Sequence, residues 1–142
     1  MIGKISHIGI AVQSIENAAK LYTDVFGLLE AGREEVPDQK VKVCFIPVGE
    51  SRVELLEPTD PEGAVAKFIA NKGEGIHHIA YEVEDLVKAL AICREKGLRL
   101  IDETPRRGAG GAMIAFLHPK STGGVLVELC EHAPAADNDV EG

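Results

Sequence analysis

The chain has 142 residues, 45% hydrophobic and 27% charged, with 15 glycines, 7 prolines and a formal charge of −8. This is the profile of one acidic soluble domain, long enough to bury a core without disulfides or a structural metal. With 15 Lys+Arg against 23 Asp+Glu and no basic run, it offers no electrostatic footprint to a phosphate backbone or an anionic membrane, so nucleic acid is excluded as a partner. Cys44, Cys93 and Cys130 are odd in number and sit in apolar runs without Cys-x-x-Cys spacing. They read as reduced core thiols, and the expected compartment is the cytoplasm. There is no signal-type apolar region at Met1 to Lys4 and no apolar stretch near the roughly 20 residues that span a bilayer. Neither secretion nor membrane insertion is expected.

In chain order, the first strand carries His7-Ile8-Gly9-Ile10-Ala11-Val12, and a second His-Ile-x-x-x-Val segment, His78 to Val83, begins 71 positions later. An internal repeat of this kind means that two units bury a core neither could close alone. After the first strand, Ser14 is placed to cap a helix with Ile15, Ala18, Ala19 and Tyr22 on one face, ending at Gly27. Strands are then predicted at Leu28 to Val36, Val41 to Pro47 and Arg52 to Glu57. A connecting helix over residues 61–72 carries Ala64, Val65, Phe68 and Ile69 on its apolar stripe. In the second copy Asp85 caps a helix with Leu86, Ala89, Leu90 and Cys93, which stops at Gly97. Strands follow at Arg99 to Asp102, Ala112 to His118 and Val125 to Cys130. The closing strands match, Val53-Glu54-Leu55 against Val127-Glu128-Leu129, 74 positions apart. The fold expected is α+β: two tandem β-α-β-β-β modules, about 1–58 and 74–132, forming a curved sheet around a cavity as a single domain. Residues 133–142 lack periodicity and are expected to be a disordered tail.

Alternation along a strand assigns side chains to faces. Ile8, Ile10 and Val12 share the helix-facing side of the first strand, leaving His7, Gly9 and Ala11 on the other. In the second copy Ile79, Tyr81 and Val83 face the helix, so His78 rather than His77 faces the cavity. On the closing strands Glu54 and Glu128 stand mid-strand, where an unpaired buried carboxylate is costly. His7, Glu54, His78 and Glu128 therefore form a candidate set of N and O ligands for a divalent transition metal: Co2+ is favoured, with Ni2+, Mn2+ or Zn2+ as alternatives. Glu57, Glu82, Glu131, His132 and His77 are assigned to structure or solvent, and His118 to a locally hydrogen-bonded turn.

The segments His7 to Val12, Val53 to Pro58, Gly75 to Ala80, Phe116 to Lys120 and Gly124 to Leu129 resemble the vicinal oxygen chelate (glyoxalase) superfamily, and within it the methylmalonyl-CoA epimerases. The resemblance covers nearly the whole chain up to His132. It implies a metal-dependent epimerase acting at C2 of an acyl-CoA through an enolate. It also implies His7, Glu54, His78 and Glu128 as metal ligands, and Glu128 as a proton-transfer residue. Some members have a second catalytic glutamate where this chain has Val43, so either another group serves, such as Asp38 or a metal-bound water, or the two-carboxylate mechanism does not operate here. Gln39, Lys120, Arg106 and Arg107 are the candidate substrate-binding residues, the arginines lying in a glycine-rich basic loop. A glyoxalase-type lactoylglutathione lyase is the nearest alternative, and a non-catalytic ligand-sequestering protein is an alternative of another class. Half-open sheets leave apolar edges, so a homodimer is expected.

Overall fold

The computed structural model describes residues 1–132, and the expected tail lies outside them. Its elements run β1 (Ile2–Ala11), α1 (Ile15–Lys20), β2 (Gly32–Val36), β3 (Val41–Val48), β4 (Ser51–Pro58), α2 (Ala64–Lys72), β5 (Gly75–Val83), α3 (Leu86–Glu95), β6 (Arg106–Arg107), β7 (Met113–Leu117) and β8 (Val127–Glu131). The strands make one mixed eight-stranded sheet in the order β2-β3-β4-β1-β5-β8-β7-β6. Each half repeats the other, and the halves join where β1 pairs antiparallel with β5. Within each half the opening strand pairs in parallel with the closing one, β1 with β4 and β5 with β8. The sheet and its helices form the two-module curved architecture expected from the repeat. No helix among the described residues is long and apolar enough to cross a membrane.

The two sheet faces have different tasks. On the outer face Val12, Ile15, Ala19, Cys44, Ile46 and Leu55 form the core under α1. Val83, Leu86, Leu90, Cys93 and Leu129 do the same under α3. Removing such apolar area from water contributes about 25 cal/mol per Å2 and is what holds each helix to its sheet half. Both caps form as expected: the Ser14 side chain accepts from the Asn17 amide and Asp85 from the Lys88 amide. Helix α1 widens into a π turn at Leu21–Val25. Gly27 and Gly97, at φ 74° and 86°, then take the left-handed geometry that ends both helices.

Two predicted strands change. The segment from Leu28 to Ala31 is irregular, because the Leu28 amide bonds back to the Tyr22 carbonyl at 2.8 Å and pairing with β3 starts only as Ala31 reaches Phe45. Arg99 to Asp102 makes only a single bridge, Leu100 to Leu117. Two successive amides there, of Ile101 and Asp102, converge on the one carbonyl of Phe116, and the Asp102 carboxylate accepts the Phe116 amide at 2.8 Å. A side chain thus takes the ladder position, and the outer strand forms further on, at Arg106–Arg107.

Candidate functional site

The sheet register builds the site. Across β4, β1 and β5, Glu54 is opposite Gly9, and Gly9 is opposite His78. Across β1, β5 and β8, His7 is opposite Ala80, and Ala80 is opposite Glu128. Each row is a glutamate, a small residue and a histidine, so the long side chains of both rows lean into the space over Gly9 and Ala80. His7, Glu54, His78 and Glu128 are the buried acid and imidazole side chains of the described fold, between 3% and 5% exposed.

Three of the four meet. His7 Nε2 lies 3.2 Å from His78 Nε2, Glu128 Oε2 lies 3.6 Å from His7 Nε2, and Glu128 Oε1 lies 3.2 Å from His78 Nε2. Donors about 2.0 to 2.2 Å from one ion, set 90° to 109° apart, stand roughly 3 to 3.6 Å from each other, so these residues fit a divalent metal. His7, His78 and Glu128 could hold such an ion. The space they line with Gln39, Val43, Glu54, Leu56 and Ile114 has a volume of about 10 Å3, enough for one ion or water. Burial, reinforced by His78 and Arg52, pushes the His7 pKa down to about 2. The imidazole is therefore neutral and its lone pair available to a metal.

Each histidine is held from behind. His78 Nδ1 is 2.9 Å from His77 Nδ1, so His77, assigned to structure, supports the ring beside it. His7 Nδ1 is 3.0 Å from Ser6 Oγ and 3.3 Å from Glu54 Oε2. Glu54, which lines the same small cavity, thus approaches His7 on the Nδ1 side of its ring. Its Oε2 accepts from Arg52 Nε and Nη2, each at 2.7 Å. Burial raises the Glu54 pKa to about 7 even though Arg52 opposes the shift.

Val43 lines the small cavity as an apolar wall, only 1% exposed. Gln39 lines it too, and joins it to a cleft of about 290 Å3 that includes Asp38, Lys40, His77, Arg106 and Phe116. Arg106 pairs with Asp102 at 3.1 Å, and its guanidinium sits 5.6 Å from the Phe116 ring centre. Arg107 and Lys120 are exposed. Lys120 rides on the turn after β7, where its amide donates to His118 Nδ1, the local role expected for that histidine. The residue missed by sequence is Arg52; its shared parity with Glu54 is the signal that could have found it.

The sequence matches the model of the glyoxalase/bleomycin resistance protein/dioxygenase superfamily over residues 6–116. It is 42% identical to the uncharacterized protein YqjC of Bacillus subtilis, over 99% of this chain and 100% of that one. It is 40% identical to an ethylmalonyl-CoA/methylmalonyl-CoA epimerase of Cereibacter sphaeroides, over 91% of this chain and 98% of that one. A solved methylmalonyl-CoA epimerase in complex with methylmalonyl-CoA and NH4+ superposes with a TM-score of 0.91 at 37% identity, covering 94% of this chain and 96% of that chain. The chain belongs to the glyoxalase/bleomycin resistance protein/dioxygenase superfamily and, within it, to the methylmalonyl-CoA epimerase family of enzymes.

Proposed function

We propose that this enzyme interconverts (R)- and (S)-methylmalonyl-CoA in a metal-dependent reaction, with His7, Glu54, His78 and Glu128 holding the ion, Co2+ first among the candidates. The observation that carries this reading is the position of Glu128: its two carboxylate oxygens face the Nε2 atoms of both histidines at 3.6 and 3.2 Å. The proton to be moved sits on a carbon between a thioester carbonyl and a carboxylate. A bound divalent ion would offset the negative charge that develops on those oxygens.

Glu128 takes the proton from one face and a second group returns one to the opposite face, the two exchanging roles in the reverse direction; a buried carboxylate suits this role. Val43 supplies no second carboxylate, so Asp38, in the adjoining cleft, is the side chain proposed for the opposite face. Gln39 and Arg106 line the approach, where a guanidinium suits the substrate carboxylate. Arg107 and Lys120, exposed outside this cleft, are proposed to meet the nucleotide end. The assembly proposed is a homodimer, which sedimentation at micromolar concentration tests; a species of monomer mass alone would reject it.

The deciding experiment follows deuterium incorporation at C2 of methylmalonyl-CoA in D2O by NMR, with Co2+-loaded protein, chelator-treated protein and Glu128→Ala. Exchange by the loaded wild type alone is the expected result. An inert methylmalonyl-CoA beside turnover of the glutathione–methylglyoxal adduct would replace the substrate assignment with lactoylglutathione lyase. A protein that binds no metal and acts on neither would be a ligand-sequestering member of the fold.

A further inference from the structure

The two edges of the curved sheet are β2 and β6, and a side chain on one edge reaches the turn that leaves the other. Glu34 lies opposite Val43 across β2 and β3, and Val43 lies opposite Leu56 across β3 and β4. Residues paired in this way share a sheet face. Val43 and Leu56 line the small cavity of the site, so Glu34 ends their row at its rim. There its Oε1 accepts the amide of Gly110, 76 positions further along the chain, at 2.9 Å.

Gly110 belongs to the tip of the β6–β7 hairpin. Arg106 and Ile114, and Arg107 and Met113, are its rungs, and the Gly108 amide closes the loop on the Ala112 carbonyl at 2.8 Å. The tip folds inward over the site. Ala109 and Ala112 line the cavity together with the four acid and imidazole side chains, and Ala109 packs on Val36, Val41, Val43 and Leu56 of the first module. The base of the hairpin is fixed, because a Cβ on Gly108 would lie 2.8 Å from Ile114 Cγ2 and Arg106 pairs with Asp102 at 3.1 Å. The tip is not: Gly110 and Gly111, both exposed, take φ of 70° and 77°, and a Cβ on Gly111 would meet nothing within 4 Å.

The cavity beneath the tip measures about 10 Å3, room for one ion or water. A carbon that carries both a carboxylate and a thioester carbonyl does not fit there while Ala109 is seated. We propose that the hairpin tip Ala109–Gly111 is a cover that lifts to admit substrate and seats for reaction, and that Glu34 is the positioning residue that holds it seated by bridging the two sheet edges. A seated cover keeps water from the reacting carbon and strengthens the electrostatics around it. The latch acts in the free enzyme as well as in the complex, so it slows entry while it favours the closed, reactive state. Cover and latch follow from the geometry; their effect on turnover rests on the epimerase reading above.

The test uses the full-length protein with Glu34→Ala and Glu34→Gln, each shown to fold by its melting temperature. In substrate-free protein, NMR follows hydrogen exchange of the Gly110 amide, and mass spectrometry follows trypsin cleavage after Arg106 and Arg107 at the hairpin base. Turnover of methylmalonyl-CoA gives kcat and KM. In Glu34→Ala both exchange and cleavage should be about 5- to 30-fold faster, the worth of one hydrogen bond to a charged acceptor, with other tryptic sites unchanged. Its kcat and KM should fall together, leaving kcat/KM close to that of wild type. Glutamine keeps an acceptor oxygen, so Glu34→Gln should restore most of the slow exchange. Unchanged Gly110 exchange in folded Glu34→Ala would overturn the inference, and so would a KM that rises while kcat holds, because the tip would then grip the substrate without gating it. Wild-type protein inert toward methylmalonyl-CoA would overturn the epimerase reading and leave exchange and cleavage to decide the cover.

Discussion

Gly9 and His78 face each other across β1 and β5, and the backbone of the glycine is the floor on which the imidazole rests. A Cβ built on Gly9 would clash with the ring, 2.7 Å from Nδ1 and 2.8 Å from Nε2. The equivalent position in the other row is Ala80, which is opposite His7, so the site tolerates a methyl under one histidine and none under the other. Gly9→Ala should therefore push His78 out of line with His7 and Glu128. Metal titration of the folded variant should show at least about a ten-fold loss of affinity, with a stability cost of about 1 to 3 kcal/mol from overpacking. Affinity equal to wild type would show that His78 does not need this seat.

Glu57 and Glu131 form a second pair related by the repeat, with a structural task. Glu57 accepts the Ile15 amide at 2.8 Å and Glu131 the Leu86 amide at 2.7 Å. Each closing strand thus satisfies the first free N–H of the helix that covers its own module, where a negative charge also meets the positive end of the helix. Glu131→Ala should lower stability by about 1 kcal/mol in urea unfolding. C2 exchange per folded molecule should be unchanged; a loss of exchange without a loss of stability would place Glu131 in the site.

Acid should weaken the metal-free protein in a defined window. Burial holds the His7 pKa at about 2 and that of His77 at about 4, whereas in the unfolded chain both are near 6.5. As pH falls below about 6.5 the unfolded state takes up protons that the native state refuses, so stability decreases. Glu54 acts in the opposite sense: raised to about 7, it takes up its proton in the native state first and stabilises the fold as pH falls from about 7 to 4.5. Two histidines outweigh one carboxylate, so the urea midpoint measured after chelation should fall between pH 6.5 and 4.5, and more steeply just below 4.5. A midpoint that rises over that range would contradict the burial of the histidines.

The thiols should be silent. Cys44, Cys93 and Cys130 are free and buried, and burial pushes Cys44 and Cys130 up to about 11. The nucleophile is the thiolate, so a disulfide reagent at pH 8 should label no thiol of the native protein within minutes and all of them in denaturant. Rapid native labelling of any one would mean that its sheet face opens.

How much of the site can be read in one dimension is visible residue by residue. Alternation along β1 and β5 is local, so the choice of His78 over His77 needs only the parity of Ile79, Tyr81 and Val83. The caps at Ser14 and Asp85, the helix ends at Gly27 and Gly97 and the repeat itself are likewise properties of short stretches. Arg99 to Asp102 has the pattern of a strand and does not form one, because the Asp102 carboxylate competes for the Phe116 amide, and propensity is blind to a partner 14 residues away.

The sequence alone determined the two-module architecture, the four acid and imidazole side chains that share a sheet face, and the reduced state of the thiols, because each follows from period, polarity or composition. Tertiary structure decided which of the four meet. Pairing of β1 with β5 set Glu54, Gly9 and His78 in one row and His7, Ala80 and Glu128 in the other. Within that cavity Glu128 reaches the Nε2 atoms of both rings, while Glu54, paired with Arg52, approaches His7 at Nδ1. A charge acts through space on whatever the fold brings within a few ångströms, and that neighbour is chosen by register.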